Sequence, residues 1–206
     1  MEIALGVYST VVGINHNRVY LIAGERAAFF DSGFESKESV NAALRMWSSL
    51  GRPSIEAVVI SHRHADHSGG AQQIADATGS TIFTSPIEKE PIESQEAGTQ
   101  VGETVAHGET LDLGGATLEF VHTPGHTVGS LGVIHREHSM LFAGDTIRNA
   151  DLFKIDAGAG DLGMHLDTLR LLQGRGLRSI APGHGPVVTD PAAHIASELG
   201  RLTAVA

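Results

Sequence analysis

The stretch that decides the fold is Val58-Val59-Ile60-Ser61-His62-Arg63-His64-Ala65-Asp66-His67-Ser68-Gly69-Gly70. Its first three residues are apolar and β-branched, which is typical of a buried strand. A polar turn follows at once and carries three imidazoles and a carboxylate within six positions. Gly69-Gly70 and the Ala-rich run after them predict the start of a helix, so the polar turn connects a strand to a helix.

The side chains of this turn have the chemistry of metal ligands. His62 and His64 are two positions apart, so both can project the same way from an extended segment just beyond the strand. Asp66 and His67 follow where the chain turns, and they therefore point elsewhere. Neutral imidazole and carboxylate suit zinc or another first-row divalent ion, so one short loop can serve two neighbouring metal positions. The alternative is a chance histidine cluster on a solvated loop, which the flanking strand and helix disfavour.

Three later strand ends present residues of the same kind. A predicted strand that ends at His122 is followed by Pro124-Gly125, a tight turn that presents His126. Two further predicted strands run into Asp145 and into His184. We expect His126, Asp145 and His184 to join the first cluster as metal ligands.

The rest of the chain alternates short strands with amphipathic segments. The predicted strands besides the one at residue 58 are Ile3–Val7, Val19–Ile22, Ala27–Asp31, Thr81–Thr84, Gly115–His122, Leu131–His135, Ser139–Ala143 and Arg178–Ala181. The predicted helices are Ser36–Leu50, Leu162–Leu172 and Pro191–Leu202. The stretch Ser85–Gly108 is rich in Glu and Gly without an apolar period, so we expect an exposed connection that is partly helical. His135 and His138 flank a predicted hairpin tip, where we expect them to be exposed.

Composition limits the class of protein. A chain of 206 residues suits a single domain spanning 1–206, and 41% apolar with 18% charged residues predicts a soluble globular protein without membrane spans. Its start lacks the features of a secretory signal, so the expected location is the cytoplasm. No cysteine is present, so no thiolate can serve as a ligand or nucleophile.

The net charge bears on the partners of the protein. A formal charge of -10 opposes attraction to nucleic acid or to an anionic membrane. We therefore expect a small-molecule substrate, no nucleic-acid partner and no membrane partner. The oligomeric state stays open, and a homodimer is compatible with the sequence.

The order of these motifs resembles the metallo-β-lactamase superfamily. The resemblance rests on His62-x-His64-x-Asp66-His67, His126 in Thr-Pro-Gly-His-Thr, Asp145 in Gly-Asp-Thr, His184 in Pro-Gly-His-Gly-Pro, and Asp31-Ser32-Gly33. It implies an α/β fold, a four-layer αββα sandwich with the site at one edge of two sheets. It also implies that His62, His64 and His126 hold one metal and that Asp66, His67 and His184 hold another, with Asp145 as the bridge.

The resemblance implies two divalent metal ions, with zinc as the first choice, while iron or manganese suits the same ligands. The expected reaction is hydrolysis of an ester, lactone or thioester by a hydroxide between the metals. Asp66 is the expected catalytic residue, because it would orient the hydroxide and return a proton to the leaving group. The residues expected to hydrogen-bond to the imidazoles are Asp31, Ser61, Thr123 and Thr146. The residues expected to line the pocket are His165 and Phe153.

Other activities of the superfamily stay open to different degrees. Lactam hydrolysis is disfavoured, because one lactamase subclass needs a Cys ligand and the others lack a bridging Asp where Asp145 stands. Glutathione thioesters are a weak candidate, because Ile147–Phe153 lacks the Gly-Arg-Thr-Asp-type sequence associated with glyoxalase II-type enzymes. The remaining alternatives are a mononuclear-iron persulfide dioxygenase, a phosphodiesterase or nuclease, and a non-catalytic metal-binding domain, which is the least favoured because all seven ligand positions are present.

Overall fold

A computed structural model of the protein describes residues 1–13, 16–149 and 154–204. The first of its two β-sheets contains seven strands in chain order: β1 (Glu2–Ala4), β2 (Val7–Val12), β3 (Asn17–Ala23), β4 (Ala27–Phe30), β5 (Ile55–Val59), β6 (Thr81–Thr84) and β7 (Glu103–Thr104). The second contains five strands: β8 (Thr110–Asp112), β9 (Thr117–His122), β10 (Leu131–His135), β11 (Met140–Gly144) and β12 (Ser179–Pro182). Their spatial order is β12-β11-β10-β9-β8.

Helices cover the outer face of each sheet. The helices on the first sheet include α1 (Lys37–Ser49), α3 (Ala71–Thr78) and α4 (Pro86–Glu93), and the short α2 (Ala65–Ser68) precedes α3. The second sheet is covered by α5 (Leu162–Gln173) and α6 (Pro191–Thr203). Three apolar clusters therefore separate the layers, one between the sheets and one under each set of helices. This arrangement confirms the predicted four-layer αββα sandwich.

The alternation of side chains along central strands explains why both faces of each sheet are apolar. Phe29 packs under the helices of the first sheet, and its neighbour Phe30 packs between the sheets. Leu141 and Phe142 divide in the same way on the second sheet. Successive strand residues point to opposite faces, so a strand covered on both sides needs a continuous apolar run.

The topology brings the predicted ligand motifs to one edge. β4 and β5 pair in parallel, and so do β11 and β12. The carboxyl ends of parallel neighbours lie at the same edge of a sheet. Asp31 and His62 therefore follow adjacent strand ends, as do Asp145 and His184.

The structure corrects the interpretation of Ser85–Gly108. This stretch contains α4 and β7, so the expected helical part is confirmed, but Glu88 at the start of α4 is fully buried. Ser85 caps the helix through its side chain and Pro86 occupies its first turn. A serine cap, a proline in the first turn and a glutamate three residues after the cap form a recognisable helix start, which the composition of the stretch concealed.

Two smaller predictions were wrong. The predicted strand Ile3–Val7 is interrupted by a turn, because Gly6 has φ +72° and a Cβ there would lie 2.8 Å from the carbonyl oxygen of Ala23. His135 is buried rather than exposed, since β10 extends through it and pairs it with Met140. Among the described residues, no helix has the length and apolar character needed to cross a bilayer.

Candidate metal site

Three imidazoles converge on one point, and we call His62, His64 and His126 the first group. Nε2 of His62 and Nε2 of His126 each lie 3.0 Å from Nδ1 of His64. The ring planes are close to perpendicular to one another, at 79–88°. Three nitrogens directed at a common centre are a ligand arrangement that zinc accepts.

Asp66, His67 and His184 form a second convergent set, which we call the second group. Oδ2 of Asp66 lies 3.3 Å from Nε2 of His184 and 3.8 Å from Nε2 of His67. The ligand atoms of the three residues all lie within 4.8 Å of one another. The ring of His67 also lies near the first group, with its centroid 4.2 Å from that of His62, so the two sets are adjacent.

Asp145 lies between the two groups. Its Oδ1 is 3.3 Å from Nε2 of His67 and 3.4 Å from Nε2 of His184. Its Oδ2 is 3.7 Å from Nε2 of His126 and is paired with Arg148. The structure therefore brings together all seven residues that the sequence singled out, with one carboxylate facing both groups.

Two buried atoms of this cluster test whether a cation fits. Nε2 of His67 and Oδ1 of Asp145 are buried, and neither has a hydrogen-bond partner in the described part of the chain. A buried polar atom without a partner costs free energy, so such atoms call for an explanation. A divalent cation held by nitrogen and oxygen ligands would satisfy both, so the residues present fit a metal site.

Asp31 and Ser61 contact the Nδ1 atoms of His67 and His62. Asp31 is fully buried, with φ +59°, in the left-handed region that few non-glycine residues adopt. Its carboxylate accepts bonds from the backbone N–H and the hydroxyl of Ser61, at 2.8 and 3.0 Å, and lies 2.7 Å from Nδ1 of His67. Oγ of Ser61 in turn lies 3.0 Å from Nδ1 of His62. These contacts are the predicted ones, and they leave Nε2 of both imidazoles free to face the centre of the site.

The partners of the other two imidazoles of the first group were not predicted. Oδ2 of Asp156 lies 3.0 Å from Nε2 of His64, and the carbonyl oxygen of Lys154 lies 2.6 Å from Nδ1 of His126. Thr123 and Thr146, which were expected to contact imidazoles, hydrogen-bond to each other instead at 2.9 Å. No sequence signal distinguishes Asp156 from the other aspartate of its Gly- and Asp-rich loop, residues 154–161.

One further polar residue near the second group was missed. Asn17 is fully buried, and its Nδ2 donates to the carbonyl oxygen of Asp66. Its backbone also forms an isolated bridge with His184. Asn17 thus links two members of the second group, although it lies at the start of an ordinary strand in the sequence.

Electrostatics divide the cluster into neutral and charged members. Burial lowers the pKa of His62 well below its ordinary value, and the neighbouring His67 lowers it further. Burial alone would also lower the pKa of His67, but the carboxylates of Asp31 and Asp145 outweigh it and raise the pKa well above its ordinary value. Burial alone would raise the pKa of Asp145, yet His67 holds it well below its ordinary value. Metal binding at the second group would therefore displace a proton from His67.

A cleft of about 530 Å³ opens onto both groups. Its lining combines the ligand side chains of both groups with a short segment of the Gly- and Asp-rich loop: His64, Asp66, His126, Asp145, Arg148, Lys154, Ile155, Asp156, Ala157 and His184. A cleft of this volume admits a small molecule.

One of the two residues predicted to line the pocket, His165, is not part of this lining. His165 is fully buried beneath the turn before His126. A Cβ on Gly125 would lie 2.4 Å from the Cβ of His165. Burial there lowers the pKa of His165 to about 3. Phe153 lies outside the described residues.

The comparison with protein families decides the wider identity. The family model of the metallo-β-lactamase superfamily matches residues 12–194. This chain belongs to that superfamily. The match spans every residue of both groups and Asp145.

Curated members of the superfamily resemble the chain over part of their length. Atrochrysone carboxyl ACP thioesterase AacuM of Aspergillus aculeatus is 31% identical over 152 residues, 73% of this chain and 44% of that protein. The beta-lactamase-like protein 2 homolog of Caenorhabditis elegans is 30% identical over 172 residues, 84% of this chain and 56% of that protein. The chain thus spans about half the length of these relatives.

Solved metallo-β-lactamase structures share the fold over nearly the whole chain. A metallo-beta-lactamase from Pontibacter korlensis superposes with a TM-score of 0.83 at 20% identity, covering 98% of this chain and 97% of that one. BLEG-1 B3 metallo-beta-lactamase superposes with a TM-score of 0.74 at 22% identity, covering 90% and 95%. These likenesses show that the chain shares the fold of the solved structures.

Proposed function

We propose that the protein hydrolyses an ester, lactone or thioester of a small molecule at a site for two divalent metal ions, with zinc as the first choice. In this proposal the first group holds one ion, the second group holds the other, and Asp145 bridges them. The observation that carries it is the position of Asp145, whose two oxygens face different groups at 3.3–3.7 Å. A relative named as an acyl carrier protein thioesterase places thioesters first among the substrates to test.

Two cations at these positions would supply a hydroxide at neutral pH and would polarise the carbonyl of the substrate. The chain itself supplies a proton carrier in Asp66, which lines the cleft beside His184. Asn17 holds the backbone of Asp66 from the buried side. The carboxylate of Asp66 is thus placed to take a proton from the attacking water and to return it to the leaving group.

The substrate is a small molecule in this proposal, since the cleft of about 530 Å³ is of ligand size and the chain carries a formal charge of -10. Ile155 and Ala157 contribute apolar surface to the lining of the cleft, which suits an acyl group. The single domain over 1–206, the cytoplasmic location and the absence of nucleic-acid and membrane partners stay predictions from the sequence.

The first test is elemental analysis of protein purified without added metal, beside the variant Asp145→Ala. We expect about two zinc ions per chain, falling toward about one in the variant, because the bridge contributes to both positions. Asp76→Ala is a matched control, since this aspartate is exposed on α3. Metal removal with a chelator should abolish turnover in a panel of thioesters, lactones and carboxylic esters, and zinc should restore it.

Three outcomes would replace the proposal with one of its rivals. A single iron that is insensitive to Asp145→Ala, with oxygen uptake on persulfides, would indicate a dioxygenase. Turnover of bis-p-nitrophenyl phosphate without turnover of any ester would indicate a phosphodiesterase. Metal-loaded protein that turns over nothing in the panel would favour a metal-binding domain.

A further inference from the structure

A buried carboxylate on α4 contacts the chain between two ligands of the first group. Glu88 is fully buried, and its Oε2 accepts bonds from both the backbone N–H and Nε of Arg63, each at 2.8 Å. Nη2 of Arg63 donates to Oε1 of Glu88 at 3.0 Å. Arg63 stands between His62 and His64 in the chain, so this forked pair holds the backbone that joins two imidazoles.

The same carboxylate contacts the loop that carries the third imidazole. Oγ1 of Thr127, the residue after His126, donates to Oε1 of Glu88 at 2.9 Å. The loop approaches so closely that a Cβ on Gly129 would lie 2.4 Å from Oε1 of Glu88. Oγ of Ser85, the cap of α4, also donates to the carbonyl oxygen of Gly129 at 2.6 Å.

The backbone carbonyl group of Arg63 is held by other residues. Its carbonyl oxygen accepts bonds from Nε2 of Gln95 and from Oγ of Ser68, the latter at 3.1 Å. Both the N–H and the C=O of Arg63 are therefore occupied, and the peptide units on either side of it have fixed orientations. The second group has no such contact with Glu88 among the described residues, because its anchor is Asp31.

We propose that Glu88 is a positioning residue for the first group, which joins the loop of His62 and His64 to the loop of His126. It touches neither the cleft nor the ligand nitrogens, and it acts through Arg63 and Thr127. The loops are distant in sequence, so without this connection their relative position would vary and the three nitrogens would converge less often. Fixing them before a metal binds reduces the entropy lost on binding.

The test is the zinc affinity of Glu88→Gln, measured by competition with a chromogenic chelator in a His184→Ala background. That background disables the second group, so the titration reports on the first. The amide preserves the volume of the side chain but removes its charge and one acceptor. We expect an affinity about tenfold or more lower, the size of effect seen when residues that orient metal ligands are lost.

Glu90→Gln is the matched control, because Glu90 is exposed on the same helix and its substitution should leave zinc affinity unchanged. Thr127→Val removes the hydroxyl that donates to Glu88, and we expect it to weaken zinc binding several-fold. The metal-free protein should lose less stability than in Glu88→Gln, because Arg63 still pairs with the carboxylate. Where Glu88→Gln does not fold, Thr127→Val carries the test alone.

A purely structural role is distinguished by the double variant Glu88→Gln, Arg63→Gln. Removing both charges should restore part of the stability lost in the single variant, since the half-buried guanidinium of Arg63 no longer lacks its partner. The zinc affinity should stay low, because the loops are still disconnected. Recovery of both quantities together would overturn the positioning role.

The inference rests on the metal site of the proposed function but not on its reaction, since no turnover is measured. Folded Glu88→Gln and Thr127→Val that bind zinc as tightly as Glu90→Gln would overturn the inference and leave the proposed function standing. Failure of the unmodified protein to bind zinc would overturn the metal site and the inference together.

Discussion

The two ligand groups are built in different ways. In the second group His67 is fully buried, and its partner Asp31 is equally buried at the end of a strand. In the first group 34% of the His64 side chain is exposed to solvent, and its partner Asp156 belongs to a loop. His67 is therefore held by residues at the strand ends, as is His62 of the first group, whereas His64 is held by a loop at the surface.

The difference follows from which part of the fold carries the carboxylate that contacts each imidazole. Asp31 and Ser61 follow the ends of adjacent parallel strands, so the sheet itself brings them together. Asp156 reaches His64 only because its loop is fastened to the turn of His126. The N–H of Asp156 donates to the carbonyl oxygen of His126 at 3.0 Å, and the N–H of Asp161 donates to the carbonyl oxygen of Gly125 at 2.9 Å.

The largest expected effect comes from Asp31→Asn. Asparagine tolerates the left-handed backbone, but its amide nitrogen is only a donor. It can replace neither the bond that Asp31 accepts from the hydroxyl of Ser61 nor its contact with Nδ1 of His67. We expect a loss of about 2–3 kcal/mol in the free energy of unfolding of the metal-free protein and a zinc affinity reduced by about 10–100-fold. Urea denaturation and chelator competition measure the two quantities. An unchanged free energy of unfolding would show that the hydrogen bonds of Asp31 do not stabilise the fold.

Asp156→Asn should separate metal affinity from stability. Its carboxylate is partly exposed, so we expect less than about 1 kcal/mol of lost stability. The amide is a weaker partner for Nε2 of His64, so zinc affinity at the first group should fall by about tenfold. Asp167→Asn, at an exposed position on α5, serves as the control. A stability loss as large as that of Asp31→Asn would remove the contrast between the groups.

The smallest effect is expected far from both groups, at Glu119. Burial alone would raise the pKa of Glu119, but hydrogen bonds from Arg175 and Arg136 outweigh it and lower the pKa. A carboxylate with a lowered pKa stabilises the fold above the pKa of the unfolded chain, and this contribution is lost as the pH falls through the folded value. Glu119→Gln should cost about 0.5–1 kcal/mol at neutral pH, and the difference from the unmodified protein should shrink below about pH 4.5.

Urea denaturation at several pH values measures this contribution, and zinc affinity should not change. A difference in stability that is constant with pH would show that Glu119 acts through packing rather than charge. A change in zinc affinity would show that the effects at Asp31 and Asp156 are not specific to the site.

The elements whose side chains point into apolar layers were predictable from local patterns. The strand before His62 and the strand before Asp145 are recognisable because a strand covered on both faces must be continuously apolar. The seven candidate ligands were recognisable because each follows such a strand at a polar turn. Their convergence then follows from parallel pairing, which puts the ends of neighbouring strands at one edge.

The residues that local patterns misplaced owe their environment to distant segments. Glu88 looks like one acidic residue among many in Ser85–Gly108, and only Arg63 and Thr127, 25 and 39 residues away, make its burial tolerable. His135 looks like part of a hairpin tip, and only the position of the neighbouring strands shows that it is buried.

By itself the sequence determined which side chains are candidate metal ligands and the two-sheet architecture that gathers them, because side-chain chemistry and strand periodicity are local properties. Only the tertiary structure decided which residues hold those ligands in place. A carboxylate becomes a buried partner or an exposed charge according to what the fold packs against it, and that depends on contacts between segments far apart in the chain.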